Sequence, residues 1–275
     1  MLTENQILRY IQNSLVTSNN APLFLTECKS RALQFSDQKP PEKTLLGVYL
    51  CSPQDYAIPH EFRTTPNINR KRLNENLEET DIDPVLAIDL FELDKFISLW
   101  VKGSPIIYPM LIGPKYIHNS LELRHSLMKL CLTNKVGKIV LDSAISEWQR
   151  NKNDFRKVAK SAYRLIQVHK YLVTKQWIED YDSILTYSKV ICVPNLTKIL
   201  NTYNLVIKDH STDVTLWSLF QETDVIIKDF IWLEQEIKKA MIFTTLPDRI
   251  PKDCFNSIIE NVKEVRLSSF RKSSI

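Results

Sequence analysis

The sequence predicts an α+β protein, a small sheet domain over residues 1–114 followed by an α-helical domain over 115–275. Three observations carry this. Residues 23–25, 45–51 and 85–89 are apolar runs too short for helices, which is how buried strands read. Beyond residue 115, apolar residues recur instead at three- and four-residue steps, the period of a buried helix face. The 275 residues are 44% hydrophobic and 25% charged, an ordinary globular composition that can build a core unaided.

The elements follow in order. Thr3 with Gln6 is a capping-box pattern, and Ile7, Leu8, Ile11 and Leu15 then share one helix face. Leu23-Phe24-Leu25 reads as the first strand, residues 30–35 as a turn into a short helix, and Lys39-Pro40-Pro41 as a broken loop before the second strand. Residues 59–82 are polar and contain Arg70-Lys71-Arg72, which predicts a surface loop or insertion. The third strand, 85–89, leads into a helix over 92–102 that Gly103 can end. Leu121, Leu123, Leu127, Leu130 and Cys131 form a stripe with Gly137 past its end. Val158, Ala162, Leu165, Ile166, His169, Leu172 and Val173 form a second, and Asp213 is positioned to cap a last helix carrying Leu216, Phe220, Ile227, Ile231 and Ile237.

Composition excludes several classes. Four glycines leave no glycine-rich phosphate loop, and no Gly-x-Ser-x-Gly, Walker or Rossmann pattern is present. The five cysteines are odd in number and never paired as CxxC, which argues against zinc clusters and for a reducing, cytoplasmic setting. The N-terminal segment lacks a signal-peptide layout, and no apolar run approaches the roughly 20 residues of a membrane span. A net charge of +4 permits nucleic-acid contact without demanding it. Arg70-Lys71-Arg72 and the tail from Arg266 to Lys272 read as solvated basic clusters that can touch a phosphate backbone. His118 and His125 have no metal spacing, and His169 on its apolar stripe reads as a hydrogen-bonded core histidine.

The segment Thr26-Glu27-Cys28-Lys29-Ser30-Arg31-Ala32, followed by Gly47-Val48-Tyr49, resembles the predicted nucleotidyltransferases of the DNA polymerase beta superfamily, in the branch linked to RNA repair in bacteria and their viruses. There a strand ends in Glu-Ser-Gly-Ser-Arg-Ala, Asp-Ser-Asp-x-Asp follows, and Gly-Val-Tyr lies on the next strand. The likeness continues in order through Leu93-Asp94-Lys95-Phe96, Lys102-Gly103-Ser104-Pro105, Ala162-Tyr163-Arg164-Leu165 and Leu246-Pro247-Asp248. It implies a small mixed β-sheet nucleotidyltransferase-like domain followed by an α-helical domain.

Nucleotidyl transfer of that kind holds two metal ions roughly 3.5–4 Å apart. Hard cations require clustered oxygens, hence an Asp-x-Asp pair on one strand and a third Asp on its neighbour. Carried over by position, the pair falls on Glu42 and Thr44 with Lys43 between them, and the third Asp falls on Ala87. Asp89 lies two residues on, sharing a strand face with Ala87. The Gly-Ser of the phosphate turn falls on Lys29-Ser30, and the family's helix histidine on Ser161.

The resemblance, with its carboxylates replaced, therefore implies a divergent nucleotidyltransferase-fold protein without catalytic activity that binds a nucleotide, an RNA or a protein partner. Lys29, Ser30, Arg31 and Arg164 are the nucleotide-binding candidates; a solvated turn for Lys29 and a structural ion pair for Arg164 are the plainer readings. One alternative is an active transferase moving a nucleotide from an NTP to RNA or another acceptor, with Mg2+ held by Glu42, Asp89 and Asp37. Another is a scaffold-only interaction or regulatory protein.

Overall fold

The computed structural model describes residues 2–16, 21–28, 43–51, 68–80, 84–104, 106–107, 110, 115–119, 133–152, 154–178, 180–209 and 223–273. The chain runs α1 (Glu4–Val16), β1 (Ala21–Cys28), β2 (Lys43–Leu50), β3 (Ile68–Leu73), β4 (Leu86–Glu92), α2 (Leu93–Val101), β5 (Lys115–Asn119), α3 (Asn134–Arg150), α4 (Phe155–Thr174), α5 (Tyr181–Val190), α6 (Pro194–Asp209), α7 (Thr223–Phe243) and α8 (Lys252–Ser273). These form two compact units, one holding α1, the strands, α2 and α8, the other α3 to α7. No described helix is long and apolar enough to cross a membrane.

The strands make one sheet in the order β3-β4-β2-β1-β5. β2 and β4 are parallel, and the other neighbours are antiparallel. The sheet is therefore mixed, as expected. The capping box forms as read: Gln6 N donates to Thr3 Oγ1 at 3.3 Å and Thr3 N to Gln6 Oε1 at 2.9 Å. That start aims Ile7 and Ile11 of α1 at Leu25, Leu45, Tyr49, Leu73, Leu86, Ile88 and Leu90 on one sheet face. The edge-to-face pair Phe24–Phe96, with centroids 5.7 Å apart, joins α2 to β1. Gly47 is needed at the centre of β2, since a Cβ there would lie 2.6 Å from the Phe24 carbonyl oxygen.

Two strands were hidden in the sequence. Residues 68–73, expected within a loop, form edge strand β3 against β4. Apart from Ile68 and Leu73 the strand is polar, so it shows no period-two alternation; its register comes from backbone pairing and from Arg72 on Asp89. Lys115–Asn119 form β5 beside β1, so the sheet does not end at residue 114.

In the second unit α4 is the central helix, with Val158, Ala162, Leu165, Ile166 and Leu172 buried as expected and Val173 exposed. Gly137 does not terminate a helix. It is buried within α3, where a Cβ would stand 3.1 Å from Leu172 Cδ2, so its lack of a side chain brings α3 close to α4. The preceding stripe at 121–131 and Asp213, Leu216 and Phe220 lie outside the described residues. α7 buries Ile226, Phe230, Leu233 and Ile237, leaving Ile231 exposed, so its inner face is rotated from the expected one. Trp148 stacks on Phe230 at 4.0 Å, and Asp229 on α7 accepts Asn195 N at 2.9 Å, capping the start of α6. Leu246-Pro247-Asp248 closes on α3: Asn134 N donates to the Pro247 carbonyl at 2.8 Å.

His169, half-buried, hydrogen-bonds Tyr187 Oη through Nδ1 at 3.0 Å. Burial pulls its pKa below the ordinary 6.5, with Glu236 opposing. The unfolded chain takes up this proton first, so the contribution to stability is complete above about pH 6.5 and declines as the pH falls below it. We expect the wild-type Tm to drop more than that of His169→Gln between about pH 7.5 and about pH 5.5. Equal slopes would show that His169 titrates as if exposed.

The C-terminal helix corrects two expectations. α8 belongs to the unit that holds the sheet, not to the helical one. Arg266, expected among solvated basic residues, is 6% exposed. Its Nη2 donates to Glu92 Oε1 at 3.0 Å and to Asp94 Oδ1 at 2.7 Å. Glu92 in turn caps α2, accepting Asp94 N at 2.6 Å, while Gly103, at φ 73°, ends the helix with Ser104 N bonded to the Leu99 carbonyl at 2.9 Å. Burial works against the Arg266 charge, but Asp94 and Glu92 outweigh it and keep the guanidinium protonated. Cys51 Sγ lies 3.5 Å from Glu92 Oε1; burial first and Glu92 second push the thiol up to about 11. Removing one partner strands a buried charge, so Arg266→Ala should lower the unfolding free energy by about 3–5 kcal/mol in urea titrations. A loss below about 1 kcal/mol, the size of an exposed pair, would mean that this contact does not hold the helix.

Candidate functional site

Residues paired across a sheet share a face, so the strand registers define the site. Cys28 pairs with Thr44, Thr44 with Ala87, and Ala87 with Arg72, making one row across β1, β2, β4 and β3. The next row is Thr26, Leu46, Asp89 and Arg70. Thr44 and Ala87 are two of the three positions that the resemblance assigns to metal-holding carboxylates, the third being Glu42. The sheet thus brings the two positions side by side, but it presents a hydroxyl and a methyl group there.

The neighbouring charges are engaged with each other. Arg72 Nη1 donates to Asp89 Oδ1 at 2.8 Å and to the Lys71 carbonyl at 2.9 Å. The Asp89 side chain is 15% exposed, that of Arg72 37%. Lys71 pairs with Glu79 on the turn after β3. Lys43 pairs with Glu27 at 3.6 Å. Arg70 is exposed. The basic cluster expected on a solvated loop is therefore an ordered edge strand in which two of three cations have carboxylate partners. Among the described residues, no three His, Cys, Asp or Glu side chains gather as a metal site.

The other candidates divide. Lys29, Ser30, Arg31, Asp37 and Glu42 lie outside the described residues. Arg164 is half-buried on α4 in the second unit. On the same helix Lys157 is held by Asn151 Oδ1 and by Asp154 Oδ2, each at 3.2 Å, and Ser161 is fully buried with no hydrogen-bond partner for its hydroxyl among the described residues. The second unit also carries an open groove of about 360 Å³ between α4 and α5, lined by Lys170, Asp180, Asp182, Ser183, Tyr187 and Val190. Its charges are partly committed: Asp180 caps α5 by accepting Ser183 N at 2.8 Å, and Lys170 Nζ lies 3.3 Å from the Ser183 carbonyl.

Arg72, read from the sequence only as part of a solvated basic cluster, has its place at the sheet from β3. Only the register of β3, invisible in a polar stretch, sets its fork on Asp89.

No protein-family model matches the chain, and no curated protein matches it. Among solved structures it is similar to the crystal structure of a nucleotidyltransferase-like protein from Exiguobacterium sibiricum 255-15, at 10% identity over 86% of this chain and 75% of that one, with a TM-score of 0.36.

Proposed function

We propose that this is a divergent protein of nucleotidyltransferase-like fold that acts by binding and does not carry out metal-dependent nucleotidyl transfer. One observation supports the reading above all: the parallel register of β2 and β4 sets Thr44 beside Ala87, at two of the three positions where the resemblance calls for carboxylates. Neither side chain can replace an anionic oxygen ligand for a hard divalent cation. Asp89, an acid on that face, already balances Arg72 at 2.8 Å, and a guanidinium at that distance opposes a second cation.

The ligand in this reading is a nucleotide or RNA, with Lys29, Ser30 and Arg31 following directly on Cys28, whose strand partner is Thr44. Arg164 remains a candidate on the helical side. The free thiols of Cys51, Cys192 and Cys254 suit the reducing cytoplasmic setting that we assign to it. Mg2+ belongs only to the opposite case, in which Glu42 and Asp89 complete a metal site.

The test is calorimetric titration of the full chain with each NTP, with and without Mg2+ or Mn2+. We expect no binding that depends on metal. Metal-dependent NTP binding that is lost in both Glu42→Ala and Asp89→Ala would overturn the proposal.

A further inference from the structure

We infer that the face of β3 carrying Arg70 and Arg72 is a metal-independent site for phosphate groups spaced along a chain. The inference deepens the reading above, and rests on it only in that no metal shares this corner of the sheet.

The two arginines are two positions apart on one strand and so lie on the same face, about 6.8 Å apart along it. The register confirms this face, because Arg70 pairs with Asp89 and Arg72 with Ala87, residues that themselves share a face of β4. Arg72 is set in place by its neighbours. A guanidinium has five N–H donors in a planar fork. Nη1 is committed to Asp89 Oδ1 and the Lys71 carbonyl. Among the described residues, Nε and Nη2 have no partner. That edge of the fork is the one that takes two oxygens of a phosphate in parallel hydrogen bonds. Asp89 thus orients the fork without occupying its binding edge. Arg70 is exposed and, among the described residues, makes no ion pair.

The local charge has the right sign: among the described residues, two guanidinium groups against one carboxylate leave a net positive face. Its shape favours a chain over a lone anion. Ala87 is 3% exposed, so a ligand cannot settle between Thr44 and Arg72 and instead lies along the sheet edge, where Arg70 and Arg72 stand in sequence. Phosphates repeated along a polyphosphate or a single-stranded oligonucleotide suit that spacing, and cationic side chains need no divalent ion to hold them.

The experiment measures binding of inorganic tripolyphosphate and of a single-stranded oligoribonucleotide to the full chain in EDTA. Variants are Arg70→Gln, Arg72→Gln and Asp89→Asn. We expect at least one probe to bind, Arg70→Gln to weaken it about tenfold, and the logarithmic salt slope of oligonucleotide binding to fall by about 0.7. Asp89→Asn keeps an acceptor for Nη1 while removing a repelling charge, and should tighten binding by about fivefold. Tripolyphosphate binding would identify compact polyphosphate as sufficient; binding of the oligonucleotide alone would identify the nucleic-acid backbone. Because Arg72 also supports the sheet, Arg70→Gln, at an exposed position, is the deciding variant. Absence of binding by both probes, or binding unchanged in Arg70→Gln, overturns the inference and leaves the non-catalytic reading standing. Binding that appears only with Mg2+ overturns that reading as well.

Discussion

The parallel pairing of β2 with β4 is the constraint on which the rest of the site depends. It sets Lys43 against Leu86 and carries the register through to Tyr49 and Glu92. From that alignment follow three things: Thr44 stands beside Ala87, Leu46 beside Asp89, and the outer flank of β4 is left for β3. Once β3 pairs antiparallel on that flank, Arg72 has a diagonal carboxylate within hydrogen-bond reach. A slip of one residue would turn each of these side chains to the opposite face. The buried set Leu45, Ile88 and Leu90, packed under Ile7 and Ile11, opposes that slip. The electrostatics of the corner are thus fixed by hydrophobic burial on the other side of the same strands.

Much of this architecture is legible in the amino-acid order. The capping box at Thr3 and Gln6, the apolar cores of β1, β2 and β4, and the stripe of α4 all announce themselves by composition and period. What is hidden is hidden for physical reasons. β3 is an edge strand whose basic side chains suit an exposed rim and discourage pairing with another chain, and such a strand lacks the alternation that marks a half-buried one. β5 has five residues, too few to show a period. Gly137 reads as a terminator in sequence because a glycine needed for close helix packing looks the same as one needed for a left-handed turn. Arg266 resembles its solvated neighbours until its two carboxylate partners, 174 and 172 residues away in sequence, come into view.

The candidate site was legible only as an expectation. The replacement of carboxylates at Thr44 and Ala87 can be counted from the resemblance alone, but that the two positions are adjacent is a statement about register. Asp89 shows the limit of reading by residue type: that Arg72 holds this acid at 2.8 Å is visible only once β3 is in register. Chemistry that depends on which charges are already balanced cannot be read from a linear string.

Arg266 also has a bearing on how the chain is made. The unit built on the sheet is discontinuous: its strands come early, its last helix comes at 252–273, and helices α3 to α7 of the second unit lie between them in sequence. During synthesis the carboxylates of Glu92 and Asp94 leave the ribosome long before the guanidinium that neutralises them. Until then the sheet must persist with the capping carboxylate solvated, and its final consolidation waits for α8. A nascent chain of this kind gains its full cooperativity only once α8 has emerged, so the appearance of that helix, rather than of the sheet, is the moment at which this unit becomes a domain.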